Sequence, residues 1–174
     1  MEHGRYLVDL VDEHGNVIDK KPRKDVDKKV DVYHSVHILL VTPRGELVLG
    51  KIPARKDFPN LYSNQLGVTV ATIKRSNESA DRAAVRAISR ELFIDDARIY
   101  HVGDKFHHLP DGHRTYLSAY YLVGNPPATF SATDINGLTT LTTREFRERL
   151  LDAPQDIAPT FIAFWETYYQ QLPV

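Results

Sequence analysis

Between Glu78 and Ile94 the chain reads ESADRAAVRAISRELFI, with charges at spacings that matter for chemistry. In a helix, Ala87, Arg90 and Glu91 fall at i, i+3 and i+4 and share one face. Glu91 could hold one weakly bound divalent ion there, with water and phosphate oxygens completing the shell, because magnesium takes hard oxygen ligands. Arg90 acts in the opposite sense: a fixed guanidinium repels a divalent cation and grips phosphate through paired N–H groups. Glu78 and Arg86 can serve chemistry, or simply cap the helix and brace a neighbouring loop. Asp81, Asp95 and Asp96 are substitute carboxylates; Asp95, one turn beyond Glu91, is the best placed, with surface solvation as its ordinary role. Eight histidines invite a metal site. In strands, however, the His34/His37 and His107/His108 pairs point to opposite faces and are no natural chelates. His34 and His37 are read as substrate-pocket or core residues.

A chain of 174 residues is most simply one domain spanning 1–174, large enough to bury a core. Its 42% apolar and 26% charged residues argue against global disorder. A net charge of −1 predicts no strong attraction to nucleic acid or anionic membranes. With no cysteine, disulfides, thiolate metal sites and cysteine nucleophiles are excluded. The opening MEHGRYLVDLVDEHG lacks the apolar core of a signal peptide, and no apolar run approaches membrane-spanning length. A soluble, cytoplasmic protein is expected.

The elements that must position these residues follow from pattern. YLVDLVD and VIDK, joined by EHGN, predict a hairpin. DKKPRKDVDKK (19–29) reads as a solvated loop or edge strand rather than a phosphate-binding strip. HSVHILLVT and LVLGKI flank PRGE as a second hairpin. RKDFPNLYSN (55–64) has loop chemistry, and LGVTVATI (66–73) reads as a buried strand. The helix follows, with N-cap oxygens offered by Ser76, Asn77 and Ser79 and with Ala80, Ala84, Ala87, Ile88 and Leu92 spaced to pack on a sheet. A third hairpin turns at PDG, GLTTLTT is a short strand, and Thr142 with Glu145 has capping-box spacing. APTFIAFWETYYQQL predicts a terminal helix with Pro159 in its first turn. The sum is an α+β fold, an α/β/α sandwich around a mixed sheet.

This order of elements resembles the Nudix superfamily, and within it the isopentenyl-diphosphate-isomerase-like branch. The likeness covers most of the chain. VDLVDEHGNVIDKKPRKDV is similar to that branch's opening hairpin and basic strand. YHSVHILLVTPRGELVLGK, FPNLYSNQLGV and IAPTF resemble its next strands, loop and C-terminal helix start. The superfamily signature is G-x5-E-x7-R-E-U-x-E-E-x-G-U, whose helix presents carboxylates to magnesium around a diphosphate. Aligned on it, Glu78 takes the early glutamate, Arg86 the arginine and Glu91 the last glutamate. Ala87 and Arg90 stand where two metal-binding glutamates belong, Thr72 replaces the first glycine and Phe93 the last. The charge on the three metal positions falls from about −3 to about zero, so the box is degenerate. The resemblance places Lys51, Arg55 and Lys56 near a cleft mouth, where they either contact phosphate or, in the plainer reading, belong to a solvated loop.

Two functions compete. The first is a magnesium- or manganese-dependent hydrolase cleaving a pyrophosphate bond in a nucleoside-diphosphate-linked substrate. It would use Glu78, Arg86 and Glu91 as catalytic residues and Glu91 as metal ligand. The second, which the exchange to Arg90 favours, is a non-catalytic or weakly active binder of a phosphorylated or nucleotide ligand. Arg90, Lys51, Arg55, Lys56 and His37 would line its site, with no cofactor needed. Isopentenyl diphosphate isomerase itself is rejected, because that family uses a cysteine and a glutamate pair with no counterpart in RTYLSAYYLV. A scaffold that dimerises through the 6–18 hairpin is a further alternative.

Overall fold

The computed structural model describes residues 5–54 and 61–174. A hairpin of β1 (Leu7–Val11) and β2 (Val17–Pro22) opens the chain as a separate two-stranded sheet. Gly15 supplies the turn's positive φ of 80° and lies against the ring of Tyr116, which leaves no room for a side chain. The main sheet contains β3 (His34–Val41), β4 (Leu47–Lys51), β5 (Leu66–Gly67), β6 (Val70–Ile73), β7 (Tyr100–His108), β8 (Arg114–Val123) and β9 (Leu138–Leu141). Strand β3 is central: it runs parallel to β8 on one edge and antiparallel to both β4 and β6 on the other. That mixture makes an α+β fold.

Among the described residues, three α-helices cover the sheet: α1 (Ala80–Leu92), α2 (Thr143–Asp152) and α3 (Pro159–Tyr168). Alternation along β3 sorts the core into two layers. Val36, Ile38 and Leu40 meet Ala83, Ala84, Ala87 and Ile88 of α1. Leu39 and Val41 meet Phe146 of α2 and Phe161, Phe164 and Trp165 of α3. The alanine stripe lets α1 lie close to the sheet. Ser79 caps α1, accepting from the Arg82 amide, and Thr142 with Glu145 forms the expected capping box on α2. Among the described residues, no helix is long and apolar enough to cross a membrane.

One expectation is corrected. LGVTVATI is two strands, β5 and β6, interrupted at Val68 and Thr69. The shared edge of β3 explains the break: Ser35–Ile38 pairs with β6, while Leu40 and Val41 pair with β4. The sheet forks there, and the Thr69 side chain fills the crotch. Its hydroxyl accepts from the Leu40 amide at 2.7 Å and donates to the Val48 carbonyl at 2.5 Å. The 19–29 charge run, expected as a solvated loop or edge strand, is an exposed edge strand over its first residues. It begins in β2, passes through a 3-10 turn at Arg23–Asp25 and sends two cations toward the fork.

Candidate functional site

The fork opens a cavity of about 250 Å³ between the diverging strands, the end of α1 and the start of β8. Of the residues singled out in the sequence, Arg90, Glu91, Lys51 and His37 line it. Glu78 and Arg86 are not among its lining residues. Arg86 donates to both Glu78 carboxylate oxygens, at 2.7 and 3.0 Å, and to the Ile73 carbonyl at 3.2 Å. The Arg75 amide adds a third bond to Glu78 at 3.0 Å. Burial acts to raise the Glu78 pKa, but these donors outweigh it and hold the carboxyl below its usual range. The pair ties β6 and the loop after it to α1. Arg55 and Lys56 lie outside the described residues.

Glu91 is nearly sealed, 3% exposed, in the cavity wall. Arg90 bonds its carboxylate directly through Nη2, and its Nε lies 3.9 Å from an Asp134 carboxylate oxygen. Burial disfavours charge on Arg90, and the two carboxylates more than compensate, raising its pKa. Ala87, the third position of this helix face, is wholly buried in the core and offers no ligand.

Asp134 is the carboxylate that sequence reasoning missed; Asp95 is instead occupied with the Ser89 hydroxyl at 2.6 Å. The segment after β8 carries Asp134 to the site. Its Ser131 amide bonds the Glu91 carbonyl at 2.8 Å, Ser131 Oγ donates to Asp134 at 2.7 Å, and the Asn136 amide bonds the Lys51 carbonyl at 2.9 Å. No local motif announces this, because the partners are remote along the chain. Arg23 and Lys28 line the cavity as well, so its described charged groups are four cations and two carboxylates. The balance favours an anionic ligand.

A magnesium site requires several converging hard donors. Among the described residues, no group of three His, Asp or Glu side chains is arranged to hold a metal ion. Glu91 and Asp134 share a guanidinium instead. These described residues do not fit the multi-carboxylate site that the resemblance implies.

The histidines divide between the faces. His37 lies in the cavity wall, and burial, aided by nearby His107 and His113, lowers its pKa to about 3. His34 turns to the opposite face, where its Nε2 meets Ser118 Oγ at 2.6 Å and Ser118 donates to Asp104. His34 is therefore a packing residue rather than a pocket residue. His113, at the mouth of β8, also lines the cavity, and no pattern in the sequence singles it out.

No protein-family model matches the sequence, nor does any curated protein sequence. Solved structures do match in architecture. DR0079 from Deinococcus radiodurans, a hypothetical Nudix protein, superposes with a TM-score of 0.77 at 21% identity, covering 94% of this chain and 99% of its own. A NUDIX hydrolase from Nitrosomonas europaea matches with a TM-score of 0.55 at 14% identity over 80% of this chain and 89% of its own. The NUDIX domain of Shewanella oneidensis NrtR, solved with ADP ribose, gives 0.57 at 11% identity over 84% and 94%. The fold is therefore that of the Nudix proteins, at identities that speak for architecture and not for activity.

Proposed function

We propose that this chain is a Nudix-superfamily protein of the isopentenyl-diphosphate-isomerase-like branch with a degenerate box. In this reading it binds a phosphorylated or nucleotide ligand in the forked cavity, with little or no hydrolysis. The carrying observation is Arg90, set in the cavity wall between Glu91 and Asp134. A guanidinium at this position neutralises the carboxylates a metal would need and offers phosphate a charged donor. Lys51, Arg23 and Lys28 add positive charge to the same cavity. His37 is a ligand contact, and Arg55 and Lys56 are proposed as further ligand contacts. The ADP ribose in the NrtR domain supports a small phosphorylated ligand for this architecture.

The second reading, metal-dependent cleavage of a pyrophosphate bond, is favoured by one observation: Glu91 and Asp134 both line the cavity. Calorimetric titration separates the two. The full chain is titrated with magnesium and manganese, then with nucleotides and sugar nucleotides in their presence and absence. The binder reading expects phosphorylated ligands to bind without metal and Arg90→Glu to weaken them by about tenfold or more. Tight divalent binding that disappears in Glu91→Gln, with turnover of the nucleotides, would reverse the choice.

A further inference from the structure

The segment that delivers Asp134 carries the chain's single Asn–Gly pair, Asn136–Gly137. In such a pair the main-chain nitrogen reaches the preceding side-chain amide most easily, because glycine has no Cβ to hinder the approach. The local structure leaves that approach open. Asn136 is exposed. Among the described residues its side chain makes no hydrogen bond, and neither does the Gly137 amide. A Cβ built on Gly137 would have nothing within 4 Å, so the space beside it is clear.

The other described asparagines differ. Asn125 precedes Pro126, whose nitrogen carries no proton. Asn64 and Asn77 precede Gln65 and Glu78, whose amides donate to the Tyr62 and Arg75 carbonyls, each at 3.2 Å. The Asn16 side chain is held on the Asp12 carboxylate at 3.0 Å, and the β-branched Val17 follows it.

The pair also holds something in place. The Asn136 amide donates to the Lys51 carbonyl and the Lys51 amide donates to the Gly137 carbonyl, both at 2.9 Å. The peptide unit between Asn136 and Gly137 is thus fastened on both sides to the end of β4. Ile135, just before it, is 3% exposed in the core layer beneath α1, and Asp134 stands beside Arg90.

We propose that Asn136–Gly137 is a self-modifying site: a succinimide closes there, and its isoaspartyl product unfastens the Asp134 segment from β4. The Gly137 nitrogen gives its proton to a solvent base and attacks Asn136 Cγ. The N–Cγ bond forms, the Cγ–Nδ2 bond breaks, and the side-chain nitrogen takes a proton from solvent and leaves as ammonia. Water then opens the imide. Addition at Cγ breaks the N–Cγ bond and gives aspartate. Addition at the Asn136 main-chain carbonyl breaks that carbon's bond to nitrogen and gives isoaspartate, with the chain now running through Cβ and Cγ. Nothing is oxidised or reduced, and either product carries one new carboxylate. The isoaspartyl link puts an extra carbon between the two Lys51 bonds, so both cannot keep their geometry. This holds whichever ligand the cavity takes.

The full chain is incubated at pH 8 in native buffer and in urea, and peptide mapping by mass spectrometry follows each asparagine. In native buffer Asn136 is expected to convert at least about tenfold faster than Asn16, Asn64, Asn77 and Asn125, and within about tenfold of its own rate in urea. Asn136→Gln, which would need a larger ring, abolishes the native-state change. Equal rates at these sites overturn the proposal, as does an Asn136 still intact in native buffer long after the urea sample has converted. The isoaspartyl fraction, isolated by chromatography, tests the consequence. Its thermal midpoint should fall by about 4–8 °C, as loss of both Lys51 bonds would produce, and its Lys51 amide should exchange faster with deuterium. Asn136→Asp adds the charge without lengthening the chain, and should keep the wild-type midpoint and the Lys51 protection. An isoaspartyl form that melts and exchanges as wild type does overturns the unfastening, and so does an Asn136→Asp variant that reproduces the loss.

Discussion

Glu78 sits one residue ahead of the Ser79 cap and turns its carboxylate onto Arg86 and the Arg75 amide rather than into the cavity. Its contribution is therefore to stability, and its pH dependence has a definite sign. The folded pKa is lowered, so the stabilisation is present above the ordinary glutamate range, near 4.5, and is lost as pH falls through the folded value. Glu78→Gln leaves the half-buried Arg86 without its bidentate partner and should cost about 2 kcal/mol, ~4–8 °C in thermal midpoint. Melts from pH 7 to 3 check it. The wild type should lose this margin in acid and the variant should be flatter; parallel curves would show that Glu78 contributes nothing through its charge. Phe93 is the other residue out of keeping with its position. It ends α1 at φ 58°, 58% exposed, where the resembled signature has glycine. The left-handed conformation there costs about 1–2 kcal/mol that glycine would not incur.

Among the elements, the fork of β3 matters most, because the cavity exists only where β4 and β6 separate. Thr69 braces the separation by bonding the Leu40 amide and the Val48 carbonyl, a facing pair of the β3–β4 ladder. Gly50 belongs to the same device: a Cβ there would meet the Thr69 and Val68 carbonyl oxygens at 2.9 and 3.1 Å. Thr69→Val keeps the shape and removes the hydroxyl that bridges both backbone groups. The expected cost is about 3 kcal/mol, measured by urea unfolding with an unchanged m-value. A loss under about 0.5 kcal/mol would mean that water replaces the hydroxyl and that the fork does not depend on it. The segment from Ser131 to Gly137 plays the matching role on the other side, binding the end of α1 and the end of β4 so that Asp134 is delivered between them.

Across the whole molecule, the near-neutral net charge conceals a cavity where described cations outnumber carboxylates. Affinity for a phosphorylated ligand should therefore fall about three- to tenfold between 0.1 and 1 M NaCl, as the screening length shrinks from about 10 to about 3 Å. An uncharged nucleoside should show no such fall, and calorimetry at several salt concentrations checks both. A salt-independent phosphate affinity would place the anion away from these cations. Much of the architecture was legible in the sequence. The three hairpins, the alanine stripe of α1, the Thr142 capping box and the Pro159 helix start are set by periodicity, turn chemistry and caps that act within a few residues. The same local rule put Ala87, Arg90 and Glu91 on one face of α1, because a helix face is fixed by spacing alone. The division of 66–73 into two strands, and the gathering of Asp134, Arg23, Lys28 and His113 around Arg90's cavity, were decided only by tertiary structure. Strand pairing and loop docking join residues far apart in the chain, and no local spacing encodes which of them will meet.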